Sequence, residues 1–239
     1  LTVQPADLAA EFVASIEEEL DFTIEAGNAV ALREALEGFD GIRIPLIYSD
    51  LSTERILTEE FVNAPSITDD GVIEAAGFER SVIANRVIEA FLHQIFSVGT
   101  FHADPHPGNI LFEPDGTVVL IDLGAVGRIG PGHRRAVLDL LVGASQADVT
   151  AIRQALSQIA VVDRRLDTRL LDAALETFVG QHMRSGGAIT ASAFEDLAQL
   201  IGEFGIRLPP WFGTLTRTMV SLEGSLTQID PDFSLVDAA

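Results

Sequence analysis

A short segment near the middle of the chain carries four side chains that could do chemistry. His102, Asp104, His106 and Asn109 lie within eight positions, and Asp122 follows thirteen residues after Asn109. A carboxylate and an amide oxygen form the hard, oxygen-only ligand set that Mg²⁺ prefers. A second carboxylate nearby can accept a hydroxyl proton or orient a nucleophile. This combination is what a site needs to hold magnesium on a nucleotide and position an attacking group.

A hairpin is predicted to bring the two halves of this motif together. Residues 110–112 and 118–121 have the pattern of short strands, and the Pro-Asp-Gly sequence between them is typical of a tight turn. Because antiparallel pairing brings the outer ends of two strands side by side, Asn109 and Asp122 are predicted to be neighbours. Asp104 lies five residues upstream, in a loop stiffened by two prolines. The spacing therefore places Asp104, Asn109 and Asp122 around one point.

The same residues allow two other interpretations. Asp, Asn, Pro and Gly are common turn formers, but turn formation explains neither both spacings nor the neighbouring histidines. His102, Asp104 and His106 also resemble a ligand triplet of a zinc- or iron-dependent hydrolase. That hydrolase would need further ligands, and the other three histidines of the chain lack a paired spacing. It would also leave Asn109 and Asp122 without a role.

The two histidines of the motif are expected to differ in their surroundings. His102 follows an apolar helix, so we expect its ring to be packed and to hold the loop by donating hydrogen bonds. Pro105 and Pro107 fix the direction of His106, which is expected to face the site. There the His106 ring could contact a phosphate.

The elements around the motif predict an α+β fold with segregated helices. Apolar residues recur at every fourth position from Leu8, and the helix that they predict continues to Leu36. Two strands at 42–48 and 55–62 and a connector at 63–66 follow. A long helix over 78–98 leads into the motif. After residue 130 the pattern predicts helices alone, at 133–145, 148–160, 167–185, 193–204 and 211–228.

The composition limits the classes of function. The chain has 36 acidic and 15 basic residues and a net charge of −21, which argues against nucleic-acid binding. It contains no cysteine, so a disulfide framework or a thiolate metal site is excluded. Every basic side chain is arginine, so lysine-dependent chemistry cannot be complete within this chain. The apolar run Val87–Phe101 is too short and too polar for a transmembrane segment.

At the level of motifs the chain resembles the UbiB-type (AarF, ABC-one) atypical kinases. The strings His-Ala-Asp-Pro-His-Pro-Gly-Asn and Asp-Leu-Gly, and the earlier Glu-Leu-Asp-Phe-x-x-Glu-Ala-x-Asn, carry the resemblance. It implies a protein-kinase-like fold. A partial small lobe with helix C, a few strands and the hinge would occupy residues 1–66. A mostly helical large lobe with the catalytic loop and the metal loop would occupy residues 67–239.

The resemblance also implies roles for individual residues, with ATP and Mg²⁺ as cofactors. Asp104 would be the catalytic aspartate. His106, two positions after Asp104, would replace the basic residue that ordinary kinases have there. Asn109 and Asp122 would be the two Mg²⁺ ligands. The other residues of the nucleotide site would be the helix-C glutamate Glu25, the acidic motif Glu19 and Asp21, and the adenine-binding hinge Glu60, Phe61 and Val62.

Departures from the family pattern limit what is expected of these 239 residues alone. The nucleotide-binding loop, the strand lysine and the Lys-x-Gly-Gln segment of the family precede helix C, and none is present. We therefore expect an N-terminally truncated chain with little or no activity by itself. No Ala-Pro-Glu motif follows Gly124, so a usual protein-substrate platform is not expected.

The full-length protein is expected to be a kinase-like ATPase or phosphotransferase that supports isoprenoid quinone or lipid metabolism. Its partners would then include an isoprenoid lipid or quinone-biosynthesis proteins. The alternative is a nucleotide-gated scaffold, without catalysis, in a membrane-associated biosynthetic complex. The expected location is cytoplasmic and peripheral to a membrane, with attachment through other segments or partners.

Overall fold

The computed structural model describes residues 20–160, 167–182 and 191–233. These ranges contain short strands in two small sheets and α-helices that dominate after residue 130, so the predicted α+β class is confirmed. The strands are β1 Ile42–Arg43, β2 Thr100–His102, β3 Ile110–Phe112, β4 Val118–Leu120 and β5 Val126–Arg128. The helices are α1 Phe22–Ala35, α2 Val72–Ala75, α3 Arg80–Leu92, α4 Pro131–Ser145, α5 Val149–Ile159, α6 Thr168–His182, α7 Ala191–Glu203 and α8 Pro210–Ile229.

Helix α1 begins later than the apolar period predicts. Asp21 has an extended backbone, with φ −104° and ψ 92°, and its carboxylate accepts a hydrogen bond from the backbone N–H of Thr23 at 2.9 Å. Asp21 is therefore an N-cap, and the prediction of one helix running through it was wrong. Leu8 and the rest of residues 1–19 lie outside the described residues. The helix ends at Ala35 with Leu36 as its C-cap, in agreement with the predicted end at Leu36.

The predicted hairpin is present and anchors a three-stranded sheet. Strands β3 and β4 pair antiparallel, with Ile110 opposite Leu120, and β1 lies parallel to β4 on its other side. Gly116 in the turn has a φ of +90°, which favours glycine, and the Phe78 ring occupies the space where a Cβ would lie. The sheet therefore carries residues from both sides of the predicted lobe boundary at residue 66, and that boundary stays a prediction.

The two strands predicted at 42–48 and 55–62 are mostly not regular strands. Beyond β1, they meet through an isolated antiparallel bridge between Ile47 and Glu59, and Tyr48 donates its N–H to the carbonyl of Thr58 at 2.9 Å. Several of their apolar side chains are exposed, including that of Ile56. Ile42 and Ile44 are buried, but the exposed side chains beyond them provide little packing to hold a continuous ladder.

The helix predicted over 78–98 changes its geometry before it reaches the motif. Helix α3 passes into a π-helical segment, His93–Val98, that ends at Gly99 with φ +88°. Gln94 in this segment is buried, and its Oε1 accepts a hydrogen bond from the backbone N–H of His102 at 2.9 Å. The segment thereby holds the end of strand β2. Strand β2 pairs antiparallel with β5, which the sequence did not predict.

The interior consists of two hydrophobic clusters joined by helix α8. One cluster lies among α4 to α8 and includes Phe101 of β2. The other packs α1 and α3 against the hairpin and includes Leu222 from the second half of α8. Because α8 contributes to both clusters, it is held firmly beside the motif loop. In the part of the chain that the structure describes, no helix is long and apolar enough to cross a membrane.

Candidate active site

The loop that carries Asp104 is held by side chains that donate hydrogen bonds to its backbone carbonyl groups. The Ala103 carbonyl accepts a hydrogen bond from Thr218 Oγ1 at 3.0 Å, and the Pro105 carbonyl accepts one from Ser225 Oγ at 2.6 Å. Asn109 donates its side-chain N–H to the Asp104 carbonyl at 3.1 Å. With the carbonyls on both sides and its own carbonyl all engaged, the Asp104 backbone has little freedom. Its carboxylate remains exposed, with 53% of the side chain accessible.

The hairpin brings Asn109 and Asp122 together as its topology requires. The N–H of Ile121 donates to the Asn109 carbonyl at 3.0 Å, so the residue before Asp122 is bonded directly to Asn109. Asp122 has a φ of +56°, which is unusual for a residue with a Cβ. Aspartate tolerates this conformation better than most residues, and such strained positions cluster at functional sites.

An open cleft of about 790 Å³ gathers carboxylates from three parts of the chain. Asp104 and Asp122 line it together, and Asp21 and Glu25 line it from the start of α1. The remaining wall includes one face of α8. Four acidic side chains around one cavity create a strongly negative potential, which favours a bound cation. Glu19, the other half of the predicted acidic motif, lies outside the described residues.

Helix α1 holds the residue that follows Asp122. The Oε1 atom of Glu25 accepts a hydrogen bond from the backbone N–H of Leu123 at 3.2 Å. One turn further along the helix, Asn28 donates its side-chain N–H to the Leu123 carbonyl at 3.0 Å. Arg128 of β5 then donates to Asn28 Oδ1 at 2.9 Å. Glu25 therefore binds the metal-loop backbone, and no cation pairs with it within the described residues.

The negative charge of the cleft changes the acidity of its glutamates. Burial, and then repulsion from Asp122, raise the pKa of Glu25, while the hydrogen bond from Leu123 lowers the pKa. Burial and the Asp122 charge likewise raise the pKa of Glu59, which lies beside Glu25 and Asp122 under the cleft. Both shifts arise first from burial of the carboxyl groups and second from the charge of Asp122.

The two histidines lie in opposite environments, as the sequence predicted. The His102 side chain is buried, packs near Phe91 and has a pKa lowered to about 4 by burial. Neither ring nitrogen makes a well-aligned hydrogen bond within the described residues, but an interaction with the Ala125 backbone raises the pKa and partly offsets burial. His106 is exposed, and its Nε2 lies 4.0 Å from Asp104 Oδ2. The His106 Nδ1 accepts from the Gly108 N–H at 3.0 Å, which turns the Nε2–H toward Asp104.

This arrangement rules out the zinc-type triplet. His102 points into the core, while Asp104 and His106 are exposed, so the three side chains do not face a common point. The described residues contain no group of three His, Asp or Glu side chains that could hold a metal ion. The hydrolase interpretation was therefore wrong in its ligand set.

The residues present do fit a magnesium ion held by fewer protein ligands. Asp122 offers a carboxylate in the cleft. Asn109 is buried and does not line the cleft; it uses its amide N–H on the loop, and its Oδ1 has no partner within the described chain. Mg²⁺ commonly takes one or two protein oxygens and completes its shell with water and phosphate. A cation beside Asp122 would offset the repulsion that, after burial, raises the pKa values of Glu25 and Glu59.

The predicted hinge residues Glu60, Phe61 and Val62 do not line the cleft of the carboxylates. Glu60 pairs with Arg43, Nη1 to Oε1 at 3.0 Å, and the N–H of Glu60 donates to the Leu46 carbonyl at 2.8 Å. Phe61 is highly exposed, with 86% of its surface accessible, and Val62 is half-buried. The side chain of Glu60 therefore has a structural partner. Neither Phe61 nor Val62 makes a backbone hydrogen bond within the described residues.

Several residues that build the site were not predicted from the sequence. Asn28 lies three positions after Glu25, so a shared helix face was a usable signal. Thr218 and Ser225 lie seven positions apart on α8, which also places them on one face among apolar neighbours. Their partners in the loop could not be inferred, because nothing local in the sequence links α8 to Ala103 or Pro105.

Comparison with known proteins gives matches along most of the chain. Residues 2–156 match the ABC1 atypical kinase-like domain, and residues 189–234 match the UbiB helical domain. Protein ACTIVITY OF BC1 COMPLEX KINASE 7, chloroplastic, from Arabidopsis thaliana is 32% identical over 225 residues, which are 93% of this chain and 32% of that protein. The protein named "Probable protein kinase UbiB" from Marinobacter nauticus is 29% identical over 243 residues, which are 99% of this chain and 44% of that protein.

A solved structure shares the fold. The complex of Rv3197 with erythromycin, from Mycobacterium tuberculosis, superposes with a TM-score of 0.63 at 20% sequence identity, covering 96% of this chain and 59% of that one. This supports a kinase-like arrangement. The chain spans well under half the length of the curated relatives, 32% to 44% for the two named above.

Proposed function

The chain belongs to the ABC1 atypical kinase-like family, and from this premise we propose that the protein binds Mg-ATP and hydrolyses it or transfers its terminal phosphoryl group. The observation that carries the proposal is the cleft that Asp104 and Asp122 line together. Asn109 connects their two segments, because its side chain donates to the Asp104 carbonyl and its own carbonyl accepts from the Ile121 N–H. Phosphoryl transfer depends mainly on positioning and on charge stabilisation, and this cleft supplies the groups for both.

Asp104 would act on the attacking group. Its exposed carboxylate stands on a backbone fixed by Thr218, Ser225 and Asn109, so it can accept a hydrogen bond from a hydroxyl or a water in one defined direction. The Nε2–H of His106 faces the same carboxylate, which makes His106 a candidate to orient Asp104 or to donate to a phosphate oxygen.

Asn109 and Asp122 would hold Mg²⁺. The bound ion would neutralise phosphate charge, which matters in a protein with a net charge of −21. Glu25 and Asn28 would keep Asp122 in place by holding the Leu123 peptide groups from both sides. Asp21 would contribute to the acidic wall of the cleft near the start of α1, and Glu19 would belong with it.

The hinge would supply backbone groups to adenine. The N–H groups of Phe61 and Val62 make no backbone hydrogen bonds within the described residues, which leaves them available to a base. The exposed Phe61 ring could cover an adenine face. Glu60 would contribute its carbonyl, since its carboxylate is paired with Arg43.

The wider role is inferred from family relatives. Relatives carry the names kinase UbiB and ACTIVITY OF BC1 COMPLEX KINASE, and we propose a role in isoprenoid quinone or lipid metabolism with an isoprenoid lipid or quinone-biosynthesis proteins as partners. A cytoplasmic location, peripheral to a membrane, goes with this role.

The test is Mg²⁺-dependent ATP turnover by the full-length protein. Asp104→Asn keeps the side-chain shape and removes the proton acceptor, so turnover should fall by roughly 100-fold while Mg-ATP binding persists. Asp50→Asn, an exposed position away from the cleft, is the matched control and should leave turnover unchanged. If wild type turns over ATP no faster than Asp104→Asn does, the proposal of an enzyme is wrong and the nucleotide-gated scaffold is favoured.

A further inference from the structure

One positively charged side chain lies among the acidic side chains of the cleft. Of the described residues that line it, Asp21, Glu25, Asp104 and Asp122 are acidic, and Arg217 is the one basic side chain. Nucleotide phosphates entering such a cavity meet strong repulsion. A bound Mg²⁺ offsets part of the charge, and the guanidinium of Arg217 is the protein group able to offset more.

Arg217 is placed by a helix that is bonded to the catalytic loop. Thr218, the next residue, donates to the Ala103 carbonyl, and Ser225 donates to the Pro105 carbonyl two turns later. Thr214 and Ser221 line the cleft with Arg217, so one face of α8 forms this wall. The backbone of Arg217 is therefore fixed with respect to Asp104.

The guanidinium of Arg217 has no partner among the described residues. The side chain is exposed, and no hydrogen bond or ion pair joins it to the described chain. Other arginines of the fold are engaged: Arg43 pairs with Glu60 and Glu113, and Arg128 donates to Asn28. Five donors in a planar fork thus stay available at the cleft, and this geometry suits a phosphate.

We infer that Arg217 is a phosphate-binding residue that contacts the terminal phosphate of the bound nucleotide. This inference rests on the proposed function. Arg217 and Asp104 line the same cleft, and Asp104 lies on the loop that α8 holds by hydrogen bonds. Since Asp104 would act on the group that attacks the terminal phosphate, that phosphate would lie in the same cleft as Arg217.

The test compares Mg-ATP with Mg-ADP as calorimetric ligands of the full-length protein. Arg217→Ala should weaken Mg-ATP binding by roughly tenfold, since a charge-assisted hydrogen bond is lost, and should change Mg-ADP binding by less than about twofold. Arg217→Lys keeps the charge without the fork and should lie between Arg217→Ala and wild type. Arg169→Ala, at an exposed position on α6 outside the cleft, is the matched control and should bind like wild type.

Other results would overturn either the assignment of Arg217 or the proposed function. Equal losses for the two nucleotides, or no loss for either, would overturn the assignment of Arg217 to the terminal phosphate while the proposed function stands. A wild-type protein that binds no Mg-ATP would overturn the proposed function, and the assignment would fall with it.

Discussion

Glu25 of helix α1 accepts a hydrogen bond from the backbone N–H of Leu123, 98 residues later, at 3.2 Å. Asn28 binds the carbonyl of the same residue, so two side chains on one helix face hold both polar groups of Leu123. Asp122 precedes Leu123 and has a left-handed backbone. The position of α1 and the conformation of the metal loop are therefore linked through one residue.

Loss of Asn28 should destabilise the fold. The Asn28 side chain is buried, and Asn28→Ala leaves the Leu123 carbonyl and the Arg128 guanidinium without this partner. We expect the free energy of unfolding to fall by about 1–3 kcal/mol in urea denaturation. Asn85→Ala, at an exposed position of α3, should change it by less than about 0.5 kcal/mol. Equal effects at the two positions would show that Asn28 does not hold the loop.

Asp122→Asn should separate metal binding from folding. Asparagine accepts a left-handed backbone and keeps the side-chain size, so the variant should fold. In the full-length protein, the thermal upshift expected with Mg-ATP in wild type should be absent in the variant, because the proposed ligand carboxylate is lost. Scanning calorimetry with and without Mg-ATP provides the measurement. An unchanged upshift would remove Asp122 from the metal site.

The local parts of the site could be predicted from the sequence. The proximity of Asn109 to the segment that carries Asp122 follows from one tight turn and one antiparallel pair, both of which have clear sequence signals. The helices after residue 130 follow from amphipathic periods long enough to be unambiguous. The Asp21 cap was missed because the apolar period continues across it, although the capping residue itself was a signal.

The remaining parts depend on contacts between distant segments. Strands β2 and β5 are three residues long, and β5 contains Gly127, so neither has a recognisable strand pattern. Gly127 is required because the Phe101 ring fills the space where a Cβ would lie. Thr218 reaches Ala103 across 115 residues, a pairing that only the packing of α8 determines.

Glu25→Gln should stabilise the protein near neutral pH. The raised pKa of Glu25 means that the folded state holds this proton more tightly than the unfolded state does. The free energy of unfolding therefore falls as the pH rises through the raised pKa. Glutamine can still accept from Leu123, so the variant should gain a few tenths to about 1 kcal/mol at pH 7, a range reduced for solvent screening.

That gain should shrink as the pH falls below the usual glutamate range, where wild-type Glu25 is protonated in both states. Urea denaturation of both proteins at pH 7 and pH 4 provides the comparison. A gain of the same size at both pH values would exclude charge repulsion as its cause.

Replacing His102 should reduce the loss of stability in acid. Burial lowers the pKa of His102 from 6.5 to about 4. Between these two pH values the ring is mostly protonated in the unfolded state and mostly neutral in the folded state. The contribution of the neutral ring to the free energy of unfolding is fully present above about pH 6.5. It is lost as the pH drops toward 4, by roughly 3 kcal/mol in total. His102→Phe removes this loss and gives up only the poorly aligned interaction of the ring with the Ala125 backbone.

The measurement is the free energy of unfolding at pH 7 and pH 5 for wild type and His102→Phe. His133→Phe, at a half-buried ring stacked on Trp211, controls for the loss of an imidazole elsewhere. If His102→Phe loses as much stability as wild type between these pH values, burial of this ring does not produce the acid sensitivity.

Ser225→Ala should impair turnover more than folding. The Ser225 hydroxyl is bonded to the Pro105 carbonyl at 2.6 Å and also to the Ser221 carbonyl of its own helix at 3.0 Å. Its removal frees one side of the Asp104 backbone, and small displacements of a catalytic group are costly to the rate. We expect kcat for ATP turnover by the full-length protein to fall by roughly tenfold with little change in KM. Thr227→Ala, which loses only a bond to its own helix, should leave kcat unchanged. If the two variants lose stability equally and turn over ATP equally, the bond from α8 to the loop does not position Asp104.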